Sequence, residues 1–339
     1  MSKNRVATSK DVALLAGVSQ STVSRAFSSN SYLAAETREK VMAAARKLDY
    51  KPNALARSLV STHSDIIGII KGETTNTLFN KVLSEVVRVL QKKKKRVIYY
   101  ELDEQESVDE VVERMIQFQI EGIVMLYATL SSNITEACMK RGIPVLQIHR
   151  HSTSVITNSV LPDNYQAAAD AAAMFLEKGF RHFVYIAGEM NSSSNLERQF
   201  GFMKQLKNSG AEQPLILPGS YTYESGAEAM KEALAKGHPN LQVPCAILCA
   251  NDLMACGAID AIKYSSDLKI GKDVILIGFD NVQISAMPPY SLSTYEPPVA
   301  QMVDDGLGLL FENIENKKMV PVEKRYALTF IERQSTRMA

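Results

Sequence analysis

Ser9-Lys-Asp-Val-Ala-Leu-Leu-Ala-Gly-Val-Ser-Gln-Ser-Thr-Val-Ser-Arg25 reads as a helix, a glycine turn and a second short helix whose outer side is hydroxyls, an amide and a guanidinium. Ser9 is placed to cap the first helix, Asp11 suits the positive end of its dipole, and Val12, Leu15 and Ala16 recur at helical spacing. Gly17 stands where a sharp reversal needs a residue without a Cβ, and Val18 fills the angle between the helices. In the second helix Ser19 is the expected N-cap, with Val23 and Ala26 or Phe27 pointing inward. Gln20, Ser21, Thr22, Ser24 and Arg25 are left outside. Gln pairs with adenine and Arg with guanine in a major groove, while short hydroxyls reach phosphates. The assignment is therefore Gln20, Ser21 and Arg25 on base edges, and Ser19, Thr22 and Ser24 on the DNA backbone. An ordinary αα-corner with a polar outer face fits the same pattern, and the residues that follow decide between them.

A third helix over Ala35–Leu48, with Val41, Ala44, Ala45 and Leu48 on one side, closes a three-helix bundle. Next comes Tyr50-Lys-Pro-Asn-Ala-Leu-Ala-Arg-Ser-Leu-Val60. The helix-turn-helix, Thr37-Arg38, Tyr50-x-Pro52-Asn53 and Ala56-Arg57-Ser58-Leu59, in that order, resemble the LacI/GalR family of bacterial repressors, and the likeness runs through essentially the whole chain. The resemblance implies a hinge helix over Asn53–Val60 that folds when a dimer meets its operator. Asn53, Ala56 and Leu59 would then meet DNA, with Leu59 at the position that wedges into the minor groove and kinks the duplex. Eight residues are too few for a stable isolated helix, so a plain linker in the free protein is equally expected. Ala34 departs from the family's Ser or Thr cap on the third helix, an omission that typically costs about 1 kcal/mol.

Charge divides the chain at the same place. Residues 1–62 carry ten Lys and Arg against four Asp and Glu, so in a chain of net charge +1 the remainder holds −5. A basic surplus on the proposed DNA reader is what a phosphate backbone requires. No stretch approaches a membrane span. The run Val12–Val18 after Lys3, Arg5 and Lys10 imitates a signal peptide but is short and lacks an Ala-x-Ala site. The expected location is cytoplasmic. Cys138, Cys245, Cys249 and Cys256 have no zinc spacing and read as buried thiols in a reducing compartment.

From Asp65 onward β-branched runs alternate with amphipathic stretches: Ile66–Ile70, Val97–Tyr100, Ile123–Leu126 and Val145–Ile148, then Phe183–Ala187, Leu215–Leu217, Ala246–Cys249 and Val274–Ile277, with helices between. Repeats of this length imply an α/β core of two doubly wound parallel-sheet subdomains forming a clamshell. The resemblance adds that the chain crosses back to the first subdomain after about Ser291 and ends in the second, giving a hinge. The expected division is a headpiece over 1–49, a hinge segment over 50–62, and a core over 63–339. Within the core, one subdomain spans about 63–162 plus 293–325 and the other 163–292 plus 326–339.

Doubly wound sheets bind ligands beyond the carboxyl ends of their strands. Those ends carry Thr75–Phe79, Tyr127–Ser131, His149-Arg150, Glu189–Arg198, Tyr221, Asn251-Asp252 and Asp280-Asn281. Matched residue by residue, the resemblance implies an effector site of Leu78, Phe79, His149, Arg150, Arg198, Tyr221, Asn251 and Asp280. Asp163 and Asp252 read equally well as helix caps, and Tyr221 as packing. His149-Arg150 replaces the family's frequent Asp-Arg, and an imidazole beside two guanidiniums predicts a cationic cleft for a sugar or sugar derivative carrying acid or phosphate. His149-x-His151 lacks a third metal ligand nearby, and Lys92–Arg96 reads as a solvated helix end.

No Gly-x-Gly-x-x-Gly follows the first strand, no phosphate-cradling loop ends in Lys-Ser/Thr, and no nucleophile carries a local signature. Neither catalysis nor a cofactor is expected. A sugar-binding protein of the periplasm shares the clamshell but needs an export signal and no basic headpiece. The expected function is an operator-binding repressor switched by a small-molecule effector, with a co-repressed or activating regulator as the alternative. The expected partners are double-stranded, pseudo-palindromic DNA and a second copy, with no membrane. The absence of a leucine-heptad tail before Ala339 favours a dimer over a tetramer.

Overall fold

The structure is a computed structural model that describes residues 7–27, 32–51, 64–103, 106–128, 131–151, 157–237, 241–316 and 320–338. Backbone contacts divide it into a small unit ending at Ser64 and a large unit over Asp65–Ala339. The hinge residues Asn53, Ala56 and Leu59 lie outside the described residues.

The small unit holds α1 (Ser9–Ala16), α2 (Gln20–Ala26) and α3 (Ala35–Lys47). Thr8, not Ser9, caps α1: its hydroxyl accepts from the Asp11 N–H, and the Asp11 carboxylate accepts from the Thr8 N–H at 2.8 Å. That reciprocal capping box satisfies two helix-end donors at once. The inner face of α1 is Val12, Ala13 and part of Ala16, whereas Leu15 is 46% exposed. At about 100° per residue, Ala16 and Ala13 both lie to one side of Val12 and Leu15 to the other, so the buried arc is Val12, Ala16 and Ala13, and its small side chains let α1 approach α2 and α3 closely. Gly17 ends α1 at φ +65°, a left-handed turn that a Cβ would strain. Val23, Ala26, Val41, Ala44 and Ala45 complete the core, with Phe27 and Tyr50 edge to face at 5.9 Å. Arg38 donates to the Ala26 carbonyl at 2.6 Å, placing a cation at the negative end of α2.

Ala34 precedes α3 with an extended backbone and makes no side-chain cap. Ala34→Ser should therefore raise the unfolding free energy of the headpiece by about 1 kcal/mol, read as a later thermal midpoint for residues 1–51. An unchanged midpoint would show that this helix end is already satisfied.

The large unit contains two six-stranded sheets. The first, in the order β11-β5-β4-β3-β1-β2, comprises β1 (Ile66–Lys71), β2 (Arg96–Glu101), β3 (Gly122–Leu126), β4 (Val145–Ile148), β5 (Asn158–Pro162) and β11 (Glu323–Tyr326), all parallel. The second, in the order β12-β10-β9-β8-β6-β7, comprises β6 (His182–Ile186), β7 (Leu215–Leu217), β8 (Cys245–Cys249), β9 (Val274–Phe279), β10 (Ser293–Glu296) and β12 (Thr329–Ile331), with only β12 antiparallel. Helices α4 (Leu78–Lys92), α5 (Val108–Ile116), α6 (Ser132–Lys140) and α11 (Val299–Asn316) cover the first sheet. The second is covered by α7 (Asn164–Glu177), α8 (Ser193–Asn208), α9 (Tyr223–Ala235) and α10 (Asp252–Ser265). The inner strands β1, β3, β4, β6, β8 and β9 read as nearly continuous apolar runs because both faces are buried, whereas the edge strand β2 is partly exposed.

The chain crosses between lobes after Pro162, after Glu296 and after Tyr326. The subdomain boundary expected at 293 is therefore too early. Ser293 pairs with Ile277 of β9, so β10 belongs to the second lobe and the return begins at Pro297-Pro298. Neither β5 nor β10 shows apolar periodicity, because each hinge strand buries polar groups that segments distant in sequence satisfy. Asn158 accepts from the Val322 N–H, and Thr294 donates to Asp252. Lys92 ends α4, and Lys95 pairs with Asp65 and Glu121, both at 2.8 Å. All four cysteines are buried, and none forms a disulfide. Among the described residues no helix is long and apolar enough to cross a membrane, and no group of three or more His, Cys, Asp or Glu is placed to hold a metal.

Candidate functional site

In the small unit, Ser19 caps α2 by accepting from the Thr22 N–H at 3.2 Å, and its hydroxyl lies 2.8 Å from those of Ser21 and Thr22. Ser19, Gln20, Ser21, Ser24 and Arg25 are exposed on one short helix, with Thr22 half-buried. Gln20 donates to the Ser9 hydroxyl at 2.8 Å, so the hydroxyl assigned to capping instead steadies an amide on the reading helix.

In the large unit, a cavity of about 210 Å³ opens between the carboxyl ends of the two sheets. It is lined by Asn76, Phe79, Tyr127, His149 and Arg150 from the first lobe, and by Ser194, Arg198, Tyr221 and Asp280 from the second. Six of the eight residues expected there line it, Phe79, His149, Arg150, Arg198, Tyr221 and Asp280, while Leu78 and Asn251 do not. Leu78 turns into the core of the first sheet. Asn251 caps α10 by accepting from the Met254 N–H at 2.9 Å and donates to the Tyr221 carbonyl at 2.8 Å, so it shapes the wall without reaching the cavity. Asn76, Tyr127 and Ser194 are additional lining groups from strand-end segments the sequence marked without singling them out, Ser194 in the first turn of α8.

Four lining residues share a backbone feature. Tyr127, His149, Tyr221 and Asp280 all have positive φ, at 54°, 76°, 64° and 104°. Left-handed backbone costs a non-glycine residue about 1 kcal/mol or more, and here it follows four strand ends and turns their side chains toward the cleft.

Arg198, 1% exposed, donates through Nε to Asn164 at 2.8 Å, to the Ala250 carbonyl, and to Asp280 at 3.4 Å, with its guanidinium 4.1 Å from the Phe279 ring centroid. Asp280, 3% exposed, accepts on its other oxygen from Asn76 at 2.6 Å, a hydrogen bond joining the lobes. Arg150 stacks on Tyr127 and pairs with Glu189 at 3.3 Å. His149 lies edge to face with Phe79, its Nε2 4.0 Å from Asp280, and both ring nitrogens lack a protein hydrogen bond. Burial, with help from Arg198 and Arg150 and against the pull of Asp280, pushes the imidazole down to about 4. At neutral pH it is uncharged. Two guanidiniums face two carboxylates, so the cleft is not cationic as expected; each arginine meets its own acid from the second lobe.

Asp252, which read equally well as a cap, is a buried tie: it accepts from the Val282 N–H at 2.9 Å and from the Thr294 hydroxyl at 2.5 Å. It thus binds the loop carrying Asp280 to hinge strand β10. Burial first, then the nearby Asp280, raises its carboxyl to about 8. A larger hollow of about 290 Å³ lies at the amino ends of β4 and β5, lined by residues such as Met139, Val145 and Pro321 without any charged group. Its chemistry and strand end both favour the interlobe cavity as the functional site.

Residues 8–53 match the model of the bacterial regulatory proteins, lacI family, and residues 172–336 match a periplasmic binding protein-like domain. The HTH-type transcriptional repressor PurR of Escherichia coli O1:K1 / APEC is 28% identical over 343 residues, 97% of each chain. PurR of Klebsiella pneumoniae (strain 342) is 28% identical over 326 residues, 92% of each chain. The structure of a lac repressor dimer bound to operator and the anti-inducer ONPF superposes with a TM-score of 0.85 at 25% identity, covering 98% of this chain and 100% of that one. A transcriptional regulator CelR–cellobiose complex shares the fold, with a TM-score of 0.70 at 24% identity, covering 97% and 99%. With a helix-turn-helix in the matched amino-terminal segment, a two-lobed core following it in sequence and repressors aligned along nearly its whole length, the chain belongs to the lacI family of bacterial regulatory proteins.

Proposed function

We propose that this regulator is a cytoplasmic, non-enzymatic homodimeric repressor whose operator affinity is set by an uncharged, polar small molecule, a sugar or a heterocycle, held between the lobes. The observation that carries this reading is the chain Asn76–Asp280–Arg198, which joins both lobes at one buried carboxylate. A ligand there touches both lobes, so its binding energy depends on their angle, and operator affinity changes through that difference alone. Arg198 offers a fork of donors, Asp280 an acceptor, and neutral His149 one donor and one acceptor. The balanced charges favour an uncharged ligand over an acid or phosphate. In the dimer, Gln20, Ser21 and Arg25 read two half-sites, Ser19, Thr22 and Ser24 hold phosphates, and Asn53, Ala56 and Leu59 act at the central minor groove.

The test is selection of an operator from random duplexes by the full chain, followed by anisotropy measurements with panels of neutral sugars, nucleobases and sugar phosphates. Arg25→Ala should weaken operator binding by about 1–3 kcal/mol and relax preference at one base pair of each half-site. Equal affinity and selectivity in the variant would remove Arg25 from the base-reading set. A panel in which only anionic sugars shift operator binding would overturn the uncharged-ligand assignment, and the sign of the shift separates induction from co-repression.

A further inference from the structure

Among the described lining residues, Asn76, Phe79, His149, Ser194, Arg198, Tyr221 and Asp280 are buried, and only Tyr127 and Arg150 are partly exposed. Both are held by a residue that does not line the cavity. Glu189 follows β6 in the second lobe and is 44% exposed at its side chain. One of its oxygens accepts from the Tyr127 hydroxyl at 2.8 Å, and the other faces the Arg150 guanidinium at 3.3 Å. That guanidinium lies 3.7 Å from the Tyr127 ring centroid and 5.1 Å from that of Tyr221. The two rings are seated on glycines, one in each lobe. A Cβ on Gly72 would fall 2.1 Å from the Tyr127 carbonyl oxygen, and one on Gly188 would fall 2.3 Å from the Tyr221 ring. The aromatic walls are thus fixed by backbone, while the link across the mouth rests on one exposed carboxylate.

We propose that Glu189 is a positioning residue for the mouth of the cleft, holding Tyr127 and Arg150 across the gap so that exchange of small molecules with the buried groups is limited by breaking this latch. The proposal rests on the cleft being the ligand site. Its test needs neither DNA nor effector, so operator binding and latching succeed or fail separately. The latch is two charge-assisted hydrogen bonds in a partly solvated place, which salt weakens. The groups facing His149 behind it are Asp280, Arg198 and Arg150, with Phe79 as the apolar wall.

The probe is diethylpyrocarbonate, whose carbonyl carbon is attacked by a neutral imidazole nitrogen to give the carbethoxy adduct with loss of ethanol and carbon dioxide. Its rate at His149 is followed by peptide mass spectrometry on the full chain, with half-buried His151 as the internal reference. Glu189→Gln is expected to speed modification of His149 about tenfold relative to His151, and Tyr127→Phe, which keeps the ring, about threefold. Raising salt to roughly 0.5 M should accelerate the wild type but not Glu189→Gln, since screening shortens to a few ångströms. An unchanged His149 rate in Glu189→Gln, or a rise shared equally by His151, would overturn the proposal.

Discussion

Asp280→Ala is expected to lower the unfolding free energy of the core by about 3–5 kcal/mol and to abolish the response of operator binding to any effector. The reason is what it leaves behind. Arg198 is 1% exposed, and without the carboxylate its guanidinium keeps the Asn164 and Ala250 hydrogen bonds and the Phe279 ring but no opposite charge, leaving a buried cation without an anion. The bond from Asn76 goes as well, so the lobes lose a buried tie. For a domain with a margin of about 5–15 kcal/mol this is a large fraction, readable by urea unfolding. Asp280→Leu combined with Arg198→Met should recover most of the loss, because exchanging a buried pair for apolar groups of similar volume is often close to neutral. The double variant should still bind operator and ignore effector. Wild-type stability in Asp280→Ala would mean that the pair is solvated and the buried-charge account is wrong.

The second large effect is a pH dependence hidden by compensation. His149 titrates near 6.5 when exposed and is pushed to about 4 in the fold. Between those values the unfolded chain binds a proton that the folded one does not, so stability falls as pH is lowered through this window. Asp252 acts in the opposite sense: its carboxyl is raised from 3.8 to about 8, so over that range the folded state holds a proton the unfolded chain has released. Lowering pH through it adds stability. The two slopes oppose one another between pH 6.5 and 4, so the pair together adds little pH dependence there. His149→Asn removes one slope while keeping a residue that tolerates positive φ. Its stability relative to wild type should therefore grow by about 2 kcal/mol from pH 7 to pH 5, measured by urea titrations at each pH. Parallel pH profiles for the two proteins would refute the burial of a neutral imidazole.

Some of this was legible in the residues and some was not, for local reasons. The glycine turn at Gly17, the Ser19 cap and the uncapped start of α3 at Ala34 depend on one or two neighbours, and all three are present in the structure. The first helix differs from its sequence pattern by one residue at its cap and by the side that Leu15 occupies, because Thr8 and Ser9 are chemically alike and the helical spacing of Val12, Leu15 and Ala16 does not show which edge of that face the crossing helices leave outside. Strand β10 was assigned to the wrong lobe, since Ser293 and Thr294 are satisfied by Thr336 and Asp252 from distant segments. No local pattern carries that information.

From the chain alone came the helix-turn-helix, the βα alternation that demands two parallel sheets, the strand ends around one cleft, and the basic surplus before residue 63, all of which depend on near neighbours or on composition. Tertiary structure alone decided the charge of that cleft. Arg150 and Arg198 look like a cationic pair in sequence, and only the approach of Glu189 and Asp280 from the second lobe neutralises them. It also decided that Asn251 braces the wall, that Leu78 turns away, and that Tyr127, His149, Tyr221 and Asp280 turn in, because a side chain's direction at a strand end depends on φ, and positive φ at residues other than glycine is imposed by the packing around them.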